Sequence, residues 1–158
     1  MKIIEGILKN KSEQDIISEV SNILNDAYYE NHNNFTIPEL NIFYIDSLDR
    51  DVNQNGFDGY FFNSAGDFAH ETLDALKAIG SKIYYEILKN AINVFPNSIV
   101  PKDRNERQEL LFEITKRNDD LEDYLELWED CDRKYWDYEE DLHSLIIEYI
   151  KSNINEFR

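Results

Sequence analysis

Apolar residues recur along this chain at intervals of three and four, the period of a helix with one buried face. Ile3, Ile4, Ile7 and Leu8 allow a short helix but are too few to exclude a strand, so residues 1–11 stay open at this level. Ser12-Glu13-Gln14-Asp15 then has the form of a capping box, a hydroxyl at the cap and a carboxylate three residues on. Ile16, Val20, Ile23 and Ala27 follow at helical spacing, which predicts a first full helix to about Tyr29. The polar run Glu30-Asn31-His32-Asn33-Asn34 reads as a connector.

Thr36-Ile37-Pro38-Glu39 repeats the start signal, with proline in the first turn where its missing N–H does no harm, and Leu40, Tyr44, Leu48 and Val52 continue it. A third helix is expected to start from Ser64-Ala65-Gly66-Asp67, a further capping box, to carry Phe68, Thr72, Ala75, Leu76 and Ile79 on one face, and to stop at Gly80. Ser81 would cap a fourth, with Tyr84, Ile87, Leu88, Ala91 and Phe95 inward until Pro96 forbids continuation. Asp103-Arg104-Asn105-Glu106 restarts the pattern through Leu110, Leu111 and Ile114. Asn118 would cap a last helical region through Leu121, Leu125, Trp128 and Tyr135, and the rhythm resumes at Leu142, Leu145, Ile146, Tyr149 and Ile150. The pattern leaves one long helix or two open there. With no sustained period-two alternation and no repeat, the expectation is all-α: a single compact multi-helix domain over residues 1–158 with an acidic C-terminal helical region.

Composition excludes disorder and several partners. Ten Tyr, nine Phe and two Trp give an acidic chain enough large apolar surface to fold. A formal net charge of -17 argues against direct contact with nucleic acid or an anionic membrane, because phosphate contacts need Lys and Arg, so an electrostatic partner should be basic. The lone Cys131 can close no internal disulfide and the N-terminus has no signal-peptide pattern, which fits a cytoplasmic protein. No apolar stretch approaches the roughly 20 residues that span a bilayer.

Candidate chemistry is sparse. Asp51-Val52-Asn53-Gln54-Asn55-Gly56 resembles the opening of a calcium loop, but the twelfth position, where a bidentate glutamate belongs, is Phe62 and the eighth is Asp58. Asn55-Gly56 is better read as a turn. His32, His70 and His143 are scattered and form no ligand pair, Cys131 between Trp128 and Tyr135 reads as a small packed hydrophobe, and there is no phosphate loop or nucleophile elbow. No catalytic residue, metal or cofactor is expected, and carboxylate pairs are too common here to identify an acid and a base.

Charge distribution says more. Asp119, Asp120, Glu122, Asp123, Glu126, Glu129, Asp130, Asp132, Asp137, Glu139, Glu140 and Asp141 are opposed only by Arg133 and Lys134, so more than half of the net charge lies there. If helical, the stretch is about 35 Å long with an acid every ~3 Å, within about twofold of the charge spacing of duplex DNA. The plainer account is a solvated helix face opposite Leu121, Trp128 and Leu142. Against it, like charges four apart, such as Glu122 with Glu126 and Glu126 with Asp130, cost a helix ~0.2–0.5 kcal/mol each, a repulsion that a Lys- and Arg-bearing partner would relieve. The candidate partner surface is therefore Asp119, Asp120, Glu122, Asp123, Glu126, Glu129, Asp130, Asp137, Glu140 and Asp141.

The stretch Val52 to Asp67, with Gly56, Phe57, Asp58, Tyr60, Phe61, Phe62, Asn63, Ser64, Gly66 and Asp67, resembles the hallmark of the DNA-mimic-protein family of small acidic helical bacterial proteins. Ala75 to Gly80, Ala91 to Pro96, Arg107 and the acidic, Tyr-rich tail to Tyr149 follow in the expected order, so the resemblance covers about residues 40–150. Asn55 stands where the family often has Gly, and Gly59 where it often has Gln. From the residues alone the motif is structural: Gly56 and Gly66 serve turns, Phe57, Tyr60, Phe61 and Phe62 supply core, and Ser64 caps a helix. What the resemblance implies is an acidic surface that imitates duplex phosphates and occupies the DNA-binding face of a regulatory protein.

Three other readings remain. An immunity protein or antitoxin plugging a basic nuclease site would use the same charge. An enzyme would need a pocket holding buried, pKa-shifted carboxyls. A helical scaffold kept soluble by its acids would use Trp128, Trp136 or other aromatics as an interface. A homodimer would suit a mimic of a long duplex.

Overall fold

The computed structural model describes residues 2–30, 34–117 and 127–157. Helix is the only regular structure among them: α1 (Lys2–Asn10), α2 (Glu13–Glu30), α3 (Ile37–Phe62), a 3-10 turn η1 (Ser64–Phe68), α4 (Ala69–Ala78), α5 (Ile83–Ile92), η2 (Pro96–Ser98), α6 (Arg104–Arg117), α7 (Glu129–Trp136), α8 (Leu142–Ser152) and η3 (Ile154–Glu156). The fold is all-α. The segment left open at the N-terminus is helical, with Ile4 and Ile7 buried and Ile3 exposed. None of these helices is long and apolar enough to cross a membrane.

The first two start signals hold. Ser12 accepts from the Asp15 N–H and donates to its carboxylate. Thr36 and Glu39 make the reciprocal capping box of α3, with Pro38 in its first turn. That helix is the axis of the fold: α2, η1, α4, α6, α7 and α8 all pack on it. Surrounded so, it is apolar on more than one face, with Ile45, Leu48, Val52, Phe57, Tyr60 and Phe61 fully buried.

Several boundaries differ from expectation. Asn55-Gly56 does not end a helix. Gly56 takes φ 67° and ψ -175°, nearly glycine-only backbone, and the helix resumes at Phe57 after this kink. Ser64 caps nothing. It begins η1, and Asp67, the other half of the expected box, is held by arginines instead. Ser81 does not cap α5 either; its hydroxyl donates to Glu140. Gly80 does adopt the left-handed conformation expected after α4.

At the C-terminal end the acidic stretch is not one continuous rod. Asn118, Leu121 and Leu125 lie outside the described residues, Trp128 sits in a turn before α7, and α7 stops at Trp136. The chain turns through Asp137–Asp141, with Tyr138 at φ 49°, before α8. Trp128 is no interface residue: it is buried, and its indole N–H donates to the Ala91 carbonyl at 3.1 Å. Phe62, expected in the core, is 51% exposed at the last position of α3.

Candidate interaction surface

Around the Val52–Asp67 motif, the chemistry is architectural and converges on Arg107, a fully buried guanidinium from α6. Its Nε donates to the Phe61 carbonyl at 2.5 Å. Nη1 donates to the carbonyls of Pro101 (2.8 Å) and Lys102 (3.2 Å), and Nη2 to the Asn63 carbonyl (2.8 Å) and to Asp67 Oδ1 (2.5 Å). A guanidinium has five N–H donors, and all five are used. They stitch the end of α3, η1 and the loop before α6 into one node. Gly66 is needed beside it, since a Cβ there would lie 2.7 Å from the Tyr60 carbonyl oxygen and 3.0 Å from Arg107 Nε. In the core, Phe57 packs with Tyr135, and Phe61 with Tyr60, Phe95 and Trp128.

The second structural finding is that part of the acidic stretch is turned inward. Asp132, on α7, accepts the Phe57 N–H at 2.7 Å, the donor that the Gly56 kink leaves without a helical partner. It thus caps a helix that starts in the middle of α3. Glu140 does the same for α5, accepting from Ser81 Oγ, from the Lys82 N–H at 2.9 Å and from the Ile83 N–H at 3.4 Å. Asp141 caps its own helix through the Ser144 N–H at 3.0 Å. Asp49, half-buried on α3, accepts from Tyr135 Oη at 2.9 Å, and burial raises its carboxyl pKa against the help of that bond.

Of the ten acids expected on a partner surface, Asp119, Asp120, Glu122, Asp123 and Glu126 lie outside the described residues. Among the other five, Glu140 and Asp141 are caps, and Asp130 is exposed but sits between the two nearby cations, 2.5 Å from Arg133 and 2.6 Å from Lys134. Glu129 and Asp137 are exposed, and Glu139 beside them is exposed too. No hydrogen bond or ion pair among the described residues engages the carboxylates of these three. Trp136 (45% exposed) and Tyr138 (61% exposed) lie among them rather than apart from them. A shallow cleft next to this surface is bordered by Asp49, Asn53, Tyr138, Glu139 and His143, with Tyr138 Oη donating to Asn53 Oδ1 at 2.8 Å. Asp49 and Asn53 were missed by sequence reading because they lie on α3, some eighty residues away.

Of the three histidines, His143 borders this cleft, His70 lies elsewhere in the fold, and His32 lies outside the described residues. His70 Nε2 accepts the Val100 N–H at 3.0 Å, and burial pushes the Cys131 thiol up to about 11, so it is a poor thiolate source. No group of three potential ligands is placed to hold a metal among the described residues.

Glu140 gives a pH test of the inward-turned acids. Burial alone would raise its carboxyl pKa, but hydrogen bonds from Ser81 and from the N–H groups of Lys82, Ile83 and Tyr84 outweigh burial and hold it below the ordinary glutamate range. The unfolded chain then binds this proton more tightly, so the cap stabilises the fold above that range and loses its effect as pH falls through the lowered value. Glu140→Ala is expected to cost about 1–2 kcal/mol in urea unfolding at neutral pH. The gap from the unaltered chain should close in acid; a gap independent of pH would contradict the cap.

Comparison with known proteins adds one finding. The sequence model of a family described as DMP19-like protein matches residues 33–153. No curated protein and no solved structure matches the chain.

Proposed function

Because the chain belongs to the DMP19-like family, a family of DNA mimics, we propose that it is a non-enzymatic binding protein whose acidic surface occupies the basic DNA-binding face of a regulatory protein. Carboxylates stand in for phosphates, and DNA is excluded by competition. The observation that supports this reading most is the division of labour within the acidic stretch. Asp132, Glu140 and Asp141 are used by helix ends, whereas Glu129, Asp137 and Glu139 are exposed, and the two cations of the stretch, Arg133 and Lys134, both pair with Asp130. Solvation alone would not need so uneven a ratio of acids to bases, and the family match spans the whole stretch.

An interface of this kind gains association rate from electrostatic steering and weakens steeply as salt rises. The test is a column carrying the chain, loaded with lysate of the source cell and eluted with a salt gradient, followed by displacement of a labelled duplex from the retained protein. A DNA-binding protein eluting at moderate salt and losing its duplex to the chain is the expected result. Salt-insensitive retention, or a retained protein that holds chain and duplex together, would overturn the reading.

A further inference from the structure

A second cleft lies on the other side of α3, between the end of α2, η1 and the start of α6, and its chemistry is unlike that of the acidic surface. Its apolar wall is Tyr28 stacked on Phe43, with ring centroids 4.1 Å apart and planes 19° apart, and Phe68 edge-on to Tyr28 at 6.3 Å. Arg50 and Arg104 also line it, both about half exposed. Each makes one 3.2 Å contact to a carboxylate, Arg50 to Asp46 and Arg104 to Asp67. A guanidinium offers five donors, so these single long contacts leave much of each planar fork available to a carboxylate in the cleft. Asp67 itself is held from behind by buried Arg107 and does not depend on Arg104.

The same cleft contains Asp51, a half-buried carboxylate that enters no ion pair among the described residues. Burial raises its pKa, opposed by a hydrogen bond from Asn63 and by the charge of Arg50, so a bound cation would relieve an existing desolvation cost. Both signs of charge are therefore offered side by side above an aromatic wall. In a chain of net charge -17 a plain anion is repelled overall, whereas a molecule with one charge of each sign has no net charge to be repelled.

We infer that this cleft binds a small zwitterion, an α-amino acid with an aromatic side chain, its carboxylate on Arg50 and Arg104, its ammonium on Asp51 and its ring on the Tyr28, Phe43 and Phe68 wall. The site is independent of the acidic surface and of the mimicry proposed for it.

Three probes of one shape separate the charges: L-phenylalanine, 3-phenylpropanoate, which lacks the ammonium, and phenethylamine, which lacks the carboxylate. Titrated into the full chain by calorimetry or NMR, L-phenylalanine is expected to saturate at millimolar concentration and to bind at least about tenfold more tightly than either partial analogue. No saturation by L-phenylalanine, or equal binding of either 3-phenylpropanoate or phenethylamine, would overturn the assignment. Asp51→Asn and Arg104→Gln should each weaken L-phenylalanine about tenfold with an unchanged far-ultraviolet circular dichroism spectrum. Unchanged affinity in both would also overturn it. Should either variant misfold, the probe series on the unaltered chain decides.

Discussion

Arg107→Ala is expected to destabilise the protein by about 3–5 kcal/mol, a large share of the stability of a domain this size. The magnitude follows from what stays behind. Four carbonyls, of Phe61, Asn63, Pro101 and Lys102, lose a charged donor, and Asp67 keeps its charge with only the long, half-exposed contact to Arg104. Removing one member of a buried charged pair costs far more than the pair is worth against an apolar replacement, because the remaining polar groups stay desolvated. Arg107→Lys should recover only part of the loss, since an ammonium has three donors and cannot span acceptors arranged around a planar fork. Urea unfolding measures both. A loss below about 1 kcal/mol for alanine would mean that the node is incidental to the fold.

Gly56→Ala carries the second large effect, about 2–5 kcal/mol, from two sources. An alanine must adopt φ 67° and ψ -175°, backbone that L-residues rarely occupy, and its Cβ would lie 2.6 Å from Asp132 Oδ2. The carboxylate would have to move, and with it the cap on the Phe57 N–H. The two sources separate in a double-mutant cycle. Asp132→Ala removes the obstruction, so Gly56→Ala should cost measurably less in that background, leaving the backbone strain alone. Strict additivity would show that the carboxylate and the kink are not coupled.

These two sites show where sequence reading stopped. The periodicity located most helices, and three of its start signals, at Ser12, Thr36 and Asp103, hold because both partners of each lie within one turn. Ser64, with the same box signal, and Ser81, a lone hydroxyl, fail for one reason: a residue distant in sequence takes the polar group first. Arg107 takes Asp67, and Glu140 takes Ser81 and the N-terminus of α5. Such caps contributed by other elements leave no mark at short range. The break of the acidic stretch after Trp136 was equally hidden, because apolar positions on either side of Asp137–Asp141 keep a helical rhythm.

For the interaction surface, composition and the clustering of acids were legible, but not which carboxylates face outward. A run of like charges looks uniform in sequence, yet Asp132 and Glu140 answer to unsatisfied backbone donors in α3 and α5 while Glu129, Asp137 and Glu139 answer to none among the described residues. That separation makes the functional reading testable without disturbing the fold. Neutralising the three outward acids should leave unfolding almost unchanged, since exposed acids contribute little to stability.

The most direct measurement is therefore displacement of a labelled duplex from the captured DNA-binding protein by the chain and by its Glu129→Gln, Asp137→Asn, Glu139→Gln variant, each at two salt concentrations. The account predicts competitive displacement by the chain, weaker at the higher salt, and an affinity at least about tenfold lower for the variant despite the same stability. A variant that displaces the duplex as well as the unaltered chain does would contradict it.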